Sequence, residues 1–292
     1  MSIFGIDISH HQLVTNYDLL NNNSNIRFKY HKATQGVDMK DSTYLYHMNK
    51  LNGPKGAYHY YRPIHNPLVQ ANYFYDYASQ IQLQLPPVLD IEGYFEVDKT
   101  YYKATSKTTI HKNLWYLIKE TERLFKHRPL IYTGYYFWRD FIGLNSGIPN
   151  YCDLWIASYN PSPVIPSEWK TWKLWQYTDN GLIPGIQNNV DFNYFNGTEE
   201  EFKVFTGEYA PPPPPSVPVT KVIKKLEVII DGLNIRSGPS TSYPKIGSLT
   251  KNKTLWELSE IKVGNNIWAE IGYKQYAAKV YNNVIFMKYV YV

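Results

Sequence analysis

The sequence has a single cysteine, Cys152, among its 292 residues. One cysteine excludes an internal disulfide and any cluster of cysteines around a metal ion. Cys152 lies in an apolar run with Trp155, which is typical of a buried thiol rather than of a nucleophile. The sequence also has no run of about 18 apolar residues, so we expect no membrane-spanning helix and no insertion into a membrane.

The first residues lack the basic segment and following apolar stretch that a secretory signal peptide needs. We therefore expect synthesis in the cytoplasm without a signal peptide. Hydrophobic residues make up 43% of the chain and charged residues 19%, a composition that favours packed globular structure over disorder. The length suits two domains better than one.

Aromatic residues, in contrast, are abundant, with 28 tyrosines and 8 tryptophans. Such an excess can reflect nothing more than a β-rich core. It also suits a carbohydrate ligand, because the CH faces of sugars stack on flat rings while tyrosine hydroxyls bond to sugar hydroxyls. Composition alone leaves both interpretations open.

The net charge of +5 is unevenly distributed along the chain. Residues 221–292 carry a net charge of +6, whereas residues 1–220 carry −1. A basic segment attracts an anionic partner, for which nucleic acid and an anionic cell wall are both candidates. A solvated lysine-rich surface with no partner is the third interpretation.

Five consecutive prolines, Pro211 to Pro215, mark the boundary between two parts of the chain. Because proline cannot donate a backbone hydrogen bond, this run predicts a stiff polyproline spacer of roughly 3.1 Å per residue. Such a run can also be a ligand for an aromatic groove, but the complete domain patterns on both sides favour a spacer. We predict a catalytic domain over residues 1–208, a linker over 209–220 and a small domain over 221–292.

Before the linker, strand-like and helical segments alternate, which predicts a parallel sheet closed as a barrel. Few helical segments follow Trp172, so we expect an irregular barrel there. The predicted strands are Ile3–Ser9, Arg27–Thr34, Gly56–Arg62, Pro87–Ile91, Leu130–Gly134, Leu154–Tyr159, Leu174–Tyr177 and Val190–Phe192. The predicted helices are Ser42–Leu51, Pro67–Gln84 and Ser106–Lys126.

After the linker, short β-branched or aromatic segments are separated by turn residues, which predicts a small all-β barrel. The predicted strands are Glu227–Ile230, Leu233–Arg236, Lys245–Leu249, Thr254–Leu258, Trp268–Ile271 and Gln275–Val280.

Four acidic residues, Asp7, Asp90, Glu92 and Asp191, lie where apolar strand segments give way to polar or glycine-containing sequence. Since side chains alternate along a strand, Asp90 and Glu92 point to the same side. If these segments are barrel strands, all four carboxyl groups collect at the carboxyl-terminal mouth, where barrel enzymes build their active sites.

Carboxyl groups that are crowded and buried together have raised pKa values, so that one of them stays protonated near neutral pH. Cleavage of a glycosidic bond needs this combination, with one acid to protonate the leaving oxygen and another carboxylate to stabilise positive charge. Helix caps and surface salt bridges are the plainer interpretation. A metal site with His10, His11 and His59 is a further alternative, although these histidines lack helical metal-ligand spacing.

The order of short motifs resembles glycoside hydrolase family 25, the muramidases of phage endolysins and bacterial autolysins. The resemblance covers nearly all of residues 1–200. The motifs are Asp7-Ile8-Ser9-His10-His11-Gln12, Lys32-Ala33-Thr34-Gln35-Gly36, Gly56-Ala57-Tyr58-His59-Tyr60, Leu89-Asp90-Ile91-Glu92, Ile131-Tyr132-Thr133-Gly134, Leu154-Trp155-Ile156-Ala157, Trp175-Gln176-Tyr177 and Val190-Asp191-Phe192-Asn193-Tyr194-Phe195-Asn196-Gly197.

The resemblance implies an α/β fold, a flattened TIM-like barrel of roughly (β/α)5(β)3 form. It also implies cleavage of the β-1,4 bond after N-acetylmuramic acid, with retention and without a cofactor or a metal. Glu92 takes the place of the general acid. Asp7, Asp90 and Asp191 would position the sugar, stabilise the developing charge, or support attack by the N-acetyl group of the substrate.

Five further residues match positions that line the substrate groove in this family. They are Tyr58, Tyr132, Trp155, Tyr159 and Gln176. Trp155 is equally well interpreted as a core residue in the middle of a strand. One departure from the family pattern is Gln35, since this loop commonly carries an acid, and any contact made by that loop is therefore in doubt.

The segment Leu233 to Thr241, together with Trp268, resembles a bacterial SH3-like domain. The resemblance implies binding of a wall peptide or polymer, which fits the basic charge better than nucleic acid does. We therefore expect bacterial peptidoglycan as the partner of both domains, no nucleic acid, and a monomer. A phage endolysin released to the cell wall fits these features, and a non-catalytic glycan-binding protein on the same barrel is the alternative.

Overall fold

The computed structural model describes residues 3–208, 224–257, 259–272 and 275–290. The chain divides into two compact units, Met1–Pro214 and Pro215–Val292. The linker predicted over residues 209–220 lies outside the described residues. No helix among the described residues combines the length and the apolar character needed to cross a membrane.

Among the described residues of the first unit, nine strands form the sheet. They are β1 (Ile3–Ile8), β2 (Ile26–Gln35), β3 (Met39–Lys40), β4 (Lys55–Tyr60), β5 (Val88–Asp90), β6 (Leu130–Gly134), β7 (Leu154–Ala157), β8 (Leu174–Gly181) and β9 (Val190–Phe195). Eight of them close into a barrel because β1 pairs with both β2 and β9, while the short β3 only extends β2. The predicted barrel is confirmed.

The irregularity expected after Trp172 is found in the direction of the last strand, which departs from the predicted parallel arrangement. Strands β1, β2 and β4 to β8 are parallel to one another, whereas β9 runs antiparallel to both β8 and β1. Only residues 182–189 connect β8 to β9. Parallel neighbours need a crossover connection of a dozen or more residues, so a link of this length makes an antiparallel pair instead.

The helices of this unit are α1 (Tyr17–Asn21), α2 (Tyr44–Lys50), α3 (Pro67–Ala78), α4 (Glu96–Ala104), α5 (Lys107–Phe125), α6 (Tyr135–Phe137) and α7 (Glu199–Phe205). Each of the first five barrel strands is followed by a helix and the last three are not separated by any, which confirms the (β/α)5(β)3 pattern.

Sequence signals at the helix ends account for the bounds of the long helices. Asn66 caps α3 by accepting from two backbone N–H groups, and Pro67 occupies its first turn, where a missing N–H costs nothing. Ser106 caps α5, which ends at Lys126 in the left-handed conformation. Helix α3 ends six residues before its predicted limit because the chain turns at Ser79. The backbone N–H of Gln84 then donates to the carbonyl of Lys55, the first residue of β4.

The inside of the barrel is filled by large aromatic side chains. Phe28 and Tyr30 of β2 lie against Gly5 and Gly56 on the neighbouring strands, where an added Cβ atom would come within 2.5 Å and 2.2 Å of their rings. Trp155 packs against Tyr30, with ring centroids 4.9 Å apart and the ring planes tilted by 44°. This aromatic packing fills the lower part of the barrel, below the mouth.

The described residues of the second unit form strands and no helix, as predicted. Its strands are β10 (Lys224–Val228), β11 (Leu233–Arg236), β12 (Lys245–Leu249), β13 (Thr254–Glu257), β14 (Ser259–Val263), β15 (Asn266–Gly272), β16 (Gln275–Tyr281), β17 (Val284–Ile285) and β18 (Met287–Val290). They form a three-stranded sheet β13-β10-β18 and a sheet β12-β11-β16-β15-β14, with β17 paired to β16. The strands β14, β17 and β18 were not predicted.

A buried lysine holds part of this second unit together. The ammonium group of Lys279 on β16 donates to Glu257 at 2.8 Å, and it also bonds to Glu260 and Tyr289. Lys279 and Glu257 are both buried. Removing one partner of a buried ion pair strongly destabilises the fold, because the remaining charge is buried without a counter-charge.

We predict that Lys279→Ala lowers the free energy of unfolding of the second unit by about 3 kcal/mol. Hydrogen–deuterium exchange of residues 275–281 should report the loss locally. The matched control is Lys288→Ala, since that ammonium lies in an exposed pair 3.3 Å from Glu227 and should cost about 0.5 kcal/mol or less. Equal effects of the two variants would contradict the prediction.

Candidate active site

The mouth of the barrel contains a pocket that brings all four of the singled-out acidic residues together. Its lining residues are Asp7, Tyr58, Val88, Asp90, Glu92, Tyr132, Trp155, Gln176 and Asp191. We call it the acidic pocket. Three of the acids lie there because the strands that carry them are parallel. Asp7 is near the end of β1, Asp90 ends β5, and Glu92 lies two residues further on.

Asp191 reaches the same pocket by a different route. It is the second residue of β9, near the start of that strand rather than at its end. Because β9 is antiparallel to β1, Asp191 lies directly opposite Asp7 in the strand ladder. The antiparallel strand thus adds a fourth carboxyl group to a mouth formed otherwise by the carboxyl-terminal ends of strands.

The carboxylate of Asp7 is buried and held by two side-chain amides. Its Oδ2 atom accepts hydrogen bonds from Asn193 Nδ2 at 2.7 Å and from Gln176 Nε2 at 3.1 Å. Burial raises the pKa of Asp7, and the amide donors oppose that rise because they favour the ionised form.

Aromatic donors determine the orientation of both amides. Gln176 Oε1 accepts from the hydroxyls of Tyr132 at 2.9 Å and Tyr159 at 2.8 Å. Asn193 Oδ1 accepts from the indole N–H of Trp155 at 2.8 Å. Since each amide oxygen is occupied in this way, each amide must present its NH2 group to Asp7.

Asp90 is also buried in the acidic pocket. It is 6% exposed, and its buried Oδ1 atom has no hydrogen-bond partner among the described residues. Burial raises the pKa of Asp90 well above its usual value, and the neighbouring charge of Glu92 raises it further.

Glu92 is only partly buried and faces the pocket from beyond the end of β5. Burial raises its pKa, while the nearby ammonium of Lys32 opposes the rise. Lys32 is oriented by a 2.9 Å hydrogen bond to Gln35 Oε1 and lies 5.1 Å from the centre of the Tyr60 ring. Gln35, the departure from the family pattern, therefore contacts a lysine that acts electrostatically on Glu92.

Asp191 has a strongly raised pKa. Burial raises its pKa to about 9, and the charge of Asp7 opposite contributes to the rise. Asp191 therefore keeps its proton at neutral pH. A carboxyl group that stays protonated near neutral pH is a condition for general acid catalysis.

The five predicted groove residues have different environments. Tyr58, Tyr132 and Gln176 line the acidic pocket. Trp155 lines it too but is 1% exposed, so that it serves mainly as core and as a donor to Asn193. Tyr159 is 53% exposed and lines a neighbouring pocket.

Asn193 and Lys32 were absent from the predicted site, although both lie in motifs of the family resemblance. Asn193 lies two residues after Asp191 on one strand, so strand alternation alone places both on the inner face of the barrel. Lys32 carried no comparable signal, since its action on Glu92 depends on β2 and β5 lying on either side of β4.

A wider groove continues from the acidic pocket past β2. Its lining includes Lys32, His10 and His11, as well as Asp90 and Glu92. His10 is held by the fully buried Asp41, with its Nδ1 atom 2.8 Å from Oδ2 of that carboxylate. His59 is not part of this groove and is buried between Thr34 and Gln70. Across the described residues, no three His, Cys, Asp or Glu side chains are grouped so as to hold a metal ion.

Comparison with known proteins agrees with this geometry. The sequence profile described as Glycosyl hydrolases family 25 matches residues 6–186. Lysozyme M1 of Streptomyces globisporus is 32% identical over 206 residues, which are 66% of this chain and 68% of that protein. A protein of Escherichia coli O157:H7, described as uncharacterised protein YegX, is 30% identical over 211 residues, which are 70% of this chain and 73% of that protein.

Solved structures show the same likeness. The bacterial lysozyme of Streptomyces coelicolor superposes with a TM-score of 0.65 at 26% identity, covering 72% of this chain and 99% of that chain. The muramidase of Acremonium alcalophilum gives a TM-score of 0.62 at 27% identity, covering 71% of this chain and 100% of that one.

A barrel of this form with clustered carboxyl groups of raised pKa at its mouth defines the class of the protein, which is a glycoside hydrolase. Within that class, the chain belongs to glycosyl hydrolases family 25.

The raised pKa of Asp191 predicts how stability depends on pH. Between about pH 4 and pH 9, Asp191 is protonated in the folded protein but ionised in the unfolded chain. Stability should therefore fall as pH rises through that window. We predict that Asp191→Asn raises the free energy of unfolding by about 1–2 kcal/mol at pH 7, allowing for solvent screening, and by almost nothing at pH 4.

Urea unfolding at both pH values measures this difference. The control is Asp76→Asn, because Asp76 is exposed on α3 and does not line the acidic pocket. A gain that is the same at pH 4 and pH 7, or no gain at either, would show that burial of Asp191 does not destabilise the fold.

Proposed function

We propose that the protein is an N-acetylmuramidase, a lysozyme that cleaves the β-1,4 bond between N-acetylmuramic acid and N-acetylglucosamine in bacterial cell walls. The observation that carries this proposal is the acidic pocket, in which four carboxyl groups with raised pKa values lie together at the mouth of a family 25 barrel. Membership of the family and the likeness to lysozymes and muramidases support peptidoglycan as the substrate.

Glu92 is best suited to be the general acid of the reaction. It is partly exposed in the pocket, so its carboxyl can reach the glycosidic oxygen, and burial helps it to retain a proton. Asp90 is shorter and more deeply buried on the same side of the strand end. Protonation of the leaving oxygen by Glu92 would break the bond and leave positive charge on the muramic acid ring.

The remaining carboxyl groups act on that positive charge. Asp7 is held by amide donors that favour its ionised form, so it can stabilise an oxocarbenium-like transition state. Asp90 and Asp191 would orient the N-acetyl group of the substrate for attack on the anomeric carbon, which gives retention without a protein nucleophile. Water, deprotonated by Glu92 in the second step, then releases the product.

We predict that Glu92→Gln abolishes release of reducing sugar from purified cell walls, with a loss of at least about a hundredfold, because the amide cannot donate an acidic proton. The control is Glu96→Gln, since Glu96 is an exposed residue of the next helix and is paired with Lys99. Circular dichroism and the unfolding midpoint should show that both variants are folded.

The same assay separates the enzyme from its alternative. A glycan-binding protein on this barrel would bind walls but release no reducing sugar, in the wild type as well as in the variant. Full activity of Glu92→Gln would instead show that another group supplies the proton.

The second unit is proposed to be an SH3-like domain that binds a wall peptide or polymer and keeps the enzyme on its insoluble substrate. Residues 221–292 carry a net charge of +6, which suits an anionic wall. An endolysin that is made in the cytoplasm and then reaches the wall after release would need such an anchor. We propose that the protein acts in this way, as a monomer.

We predict that a chain ending at residue 208 lyses whole walls about tenfold more slowly, because the local concentration of the barrel at the wall falls. Its kcat/KM on soluble glycan strands should stay within about twofold of the full chain, because the acidic pocket lies wholly in the first unit. Turbidity and reducing-sugar assays measure the two rates. Equal losses on both substrates would argue against an anchoring role.

A further inference from the structure

A β-bulge near the end of β2 turns two polar side chains to the same side of the sheet. Lys32 pairs with Tyr58 of β4 and Gln35 pairs with Tyr60, so that three steps along β2 match two steps along β4. Residues three apart on a regular strand would face opposite sides. Because of the extra residue, Lys32 and Gln35 both line the groove, as their two tyrosine partners do.

The contact between these two side chains is held from several directions. Lys32 Nζ donates to Gln35 Oε1 at 2.9 Å, and the backbone of Gln35 is paired with β4 on one side and β3 on the other. The ammonium group also lies 5.1 Å from the centre of the Tyr60 ring. The hydroxyl of Tyr60 accepts from the backbone N–H of Tyr94, two residues after Glu92. One ring therefore contacts both the ammonium group and the segment that follows the general acid.

Lys32 differs from the neighbouring basic side chains in having neutral partners. Arg62 is paired with the carboxylate of Asp98 at 2.6 Å, and His10 with that of Asp41 at 2.8 Å. Among the described residues, the direct contacts of the Lys32 ammonium are an amide oxygen and an aromatic ring. An amide dipole orients an ammonium group but does not cancel its charge, so the charge of Lys32 acts on carboxyl groups further away.

Glu92 lies among acidic and phenolic groups, to which Lys32 brings positive charge. Burial and the charge of Asp7 raise the pKa of Glu92, whereas the charge of Lys32 lowers it. The other titratable groups whose charges interact with Glu92 are Asp90, Asp191, Tyr60, Tyr132 and Tyr159. Those that interact with Lys32 are Asp90, Asp41, Arg62, His11 and His59.

We propose that Gln35 is a positioning residue for the general acid, which holds the Lys32 ammonium in the groove of Glu92 as an uncompensated positive charge. The inference rests on the proposed function, in which Glu92 gives its proton to the glycosidic oxygen. A nearby positive charge makes the carboxyl a stronger acid, and it also lowers the pH above which the proton is already lost. Gln35 therefore sets the upper pH limit of activity. The effect belongs to this chain, because Gln35 is its departure from the family pattern.

The first test is the pH dependence of kcat/KM on soluble glycan strands. Gln35→Glu keeps the shape of the side chain but places a carboxylate on the Lys32 ammonium, so the alkaline limb of the profile should move up by about one pH unit. Lys32→Met removes the charge and should move the limb at least as far. The unfolding midpoint should show that both variants are folded.

A matched control for the added charge is Gln82→Glu, since Gln82 is exposed and does not line the groove. This variant should leave the alkaline limb where it is in the wild type. An unmoved limb in Gln35→Glu, or a loss of rate that is uniform across all pH values, would overturn the proposal, because a purely structural role of Gln35 predicts such a loss.

The second test needs no turnover and so remains valid if the proposed function fails. Carbon-13 NMR follows the titration of the labelled Glu92 carboxyl group, whose signal is identified by its absence from Glu92→Gln. The midpoint should be about one pH unit higher in Gln35→Glu than in the wild type. Equal midpoints overturn the proposal, whereas a raised midpoint in a protein that cleaves no strands counts only against the muramidase assignment.

Discussion

The acidic pocket depends on two amides that hold one buried carboxylate. Asp7 is surrounded by protein, and its charge is tolerated because Asn193 and Gln176 both donate to the same oxygen atom. That fixed carboxylate contributes to the raised pKa values of Asp90, Glu92 and Asp191. Burial is the main cause of all the raised pKa values in the pocket, and at Asp7 the two uncharged amide donors oppose it.

The amides are in turn oriented by aromatic hydroxyl and indole groups, which gives the aromatic composition a specific role. Tyr132 and Tyr159 occupy the oxygen of Gln176, and Trp155 occupies that of Asn193. A phenylalanine at either tyrosine position could fill the same space but would not determine which end of the amide faces Asp7. The excess of tyrosine is thus partly a core requirement and partly a source of donors at the site.

Much of this arrangement could be predicted from the sequence, for physical reasons that differ between residues. Asp90 and Glu92 were placed on one side by strand alternation, and Asp7 by its position at a strand end. The same rule would have found Asn193 from Asp191. The contacts of Gln176 and Lys32 could not be derived in this way, because they depend on which strands become neighbours in the closed sheet. Local periodicity contains no information about neighbours, so only the resemblance pointed to Gln176.

Local sequence patterns do not determine the direction of β9, and that direction decides which of its side chains lie at the mouth. Asp191, Asn193 and Phe195 share the inward face of this strand, and Phe195 packs at the lower end among Phe28 and Phe202. If β9 were parallel to β1, its two ends would change places. Asp191 would then be buried in that aromatic cluster without a hydrogen-bond donor, and Phe195 would lie at the mouth. An unpaired carboxyl in such surroundings would lose its charge or destabilise the fold. The short hairpin between β8 and β9 prevents this, so a loop without catalytic residues determines that the fourth carboxyl group reaches the active site.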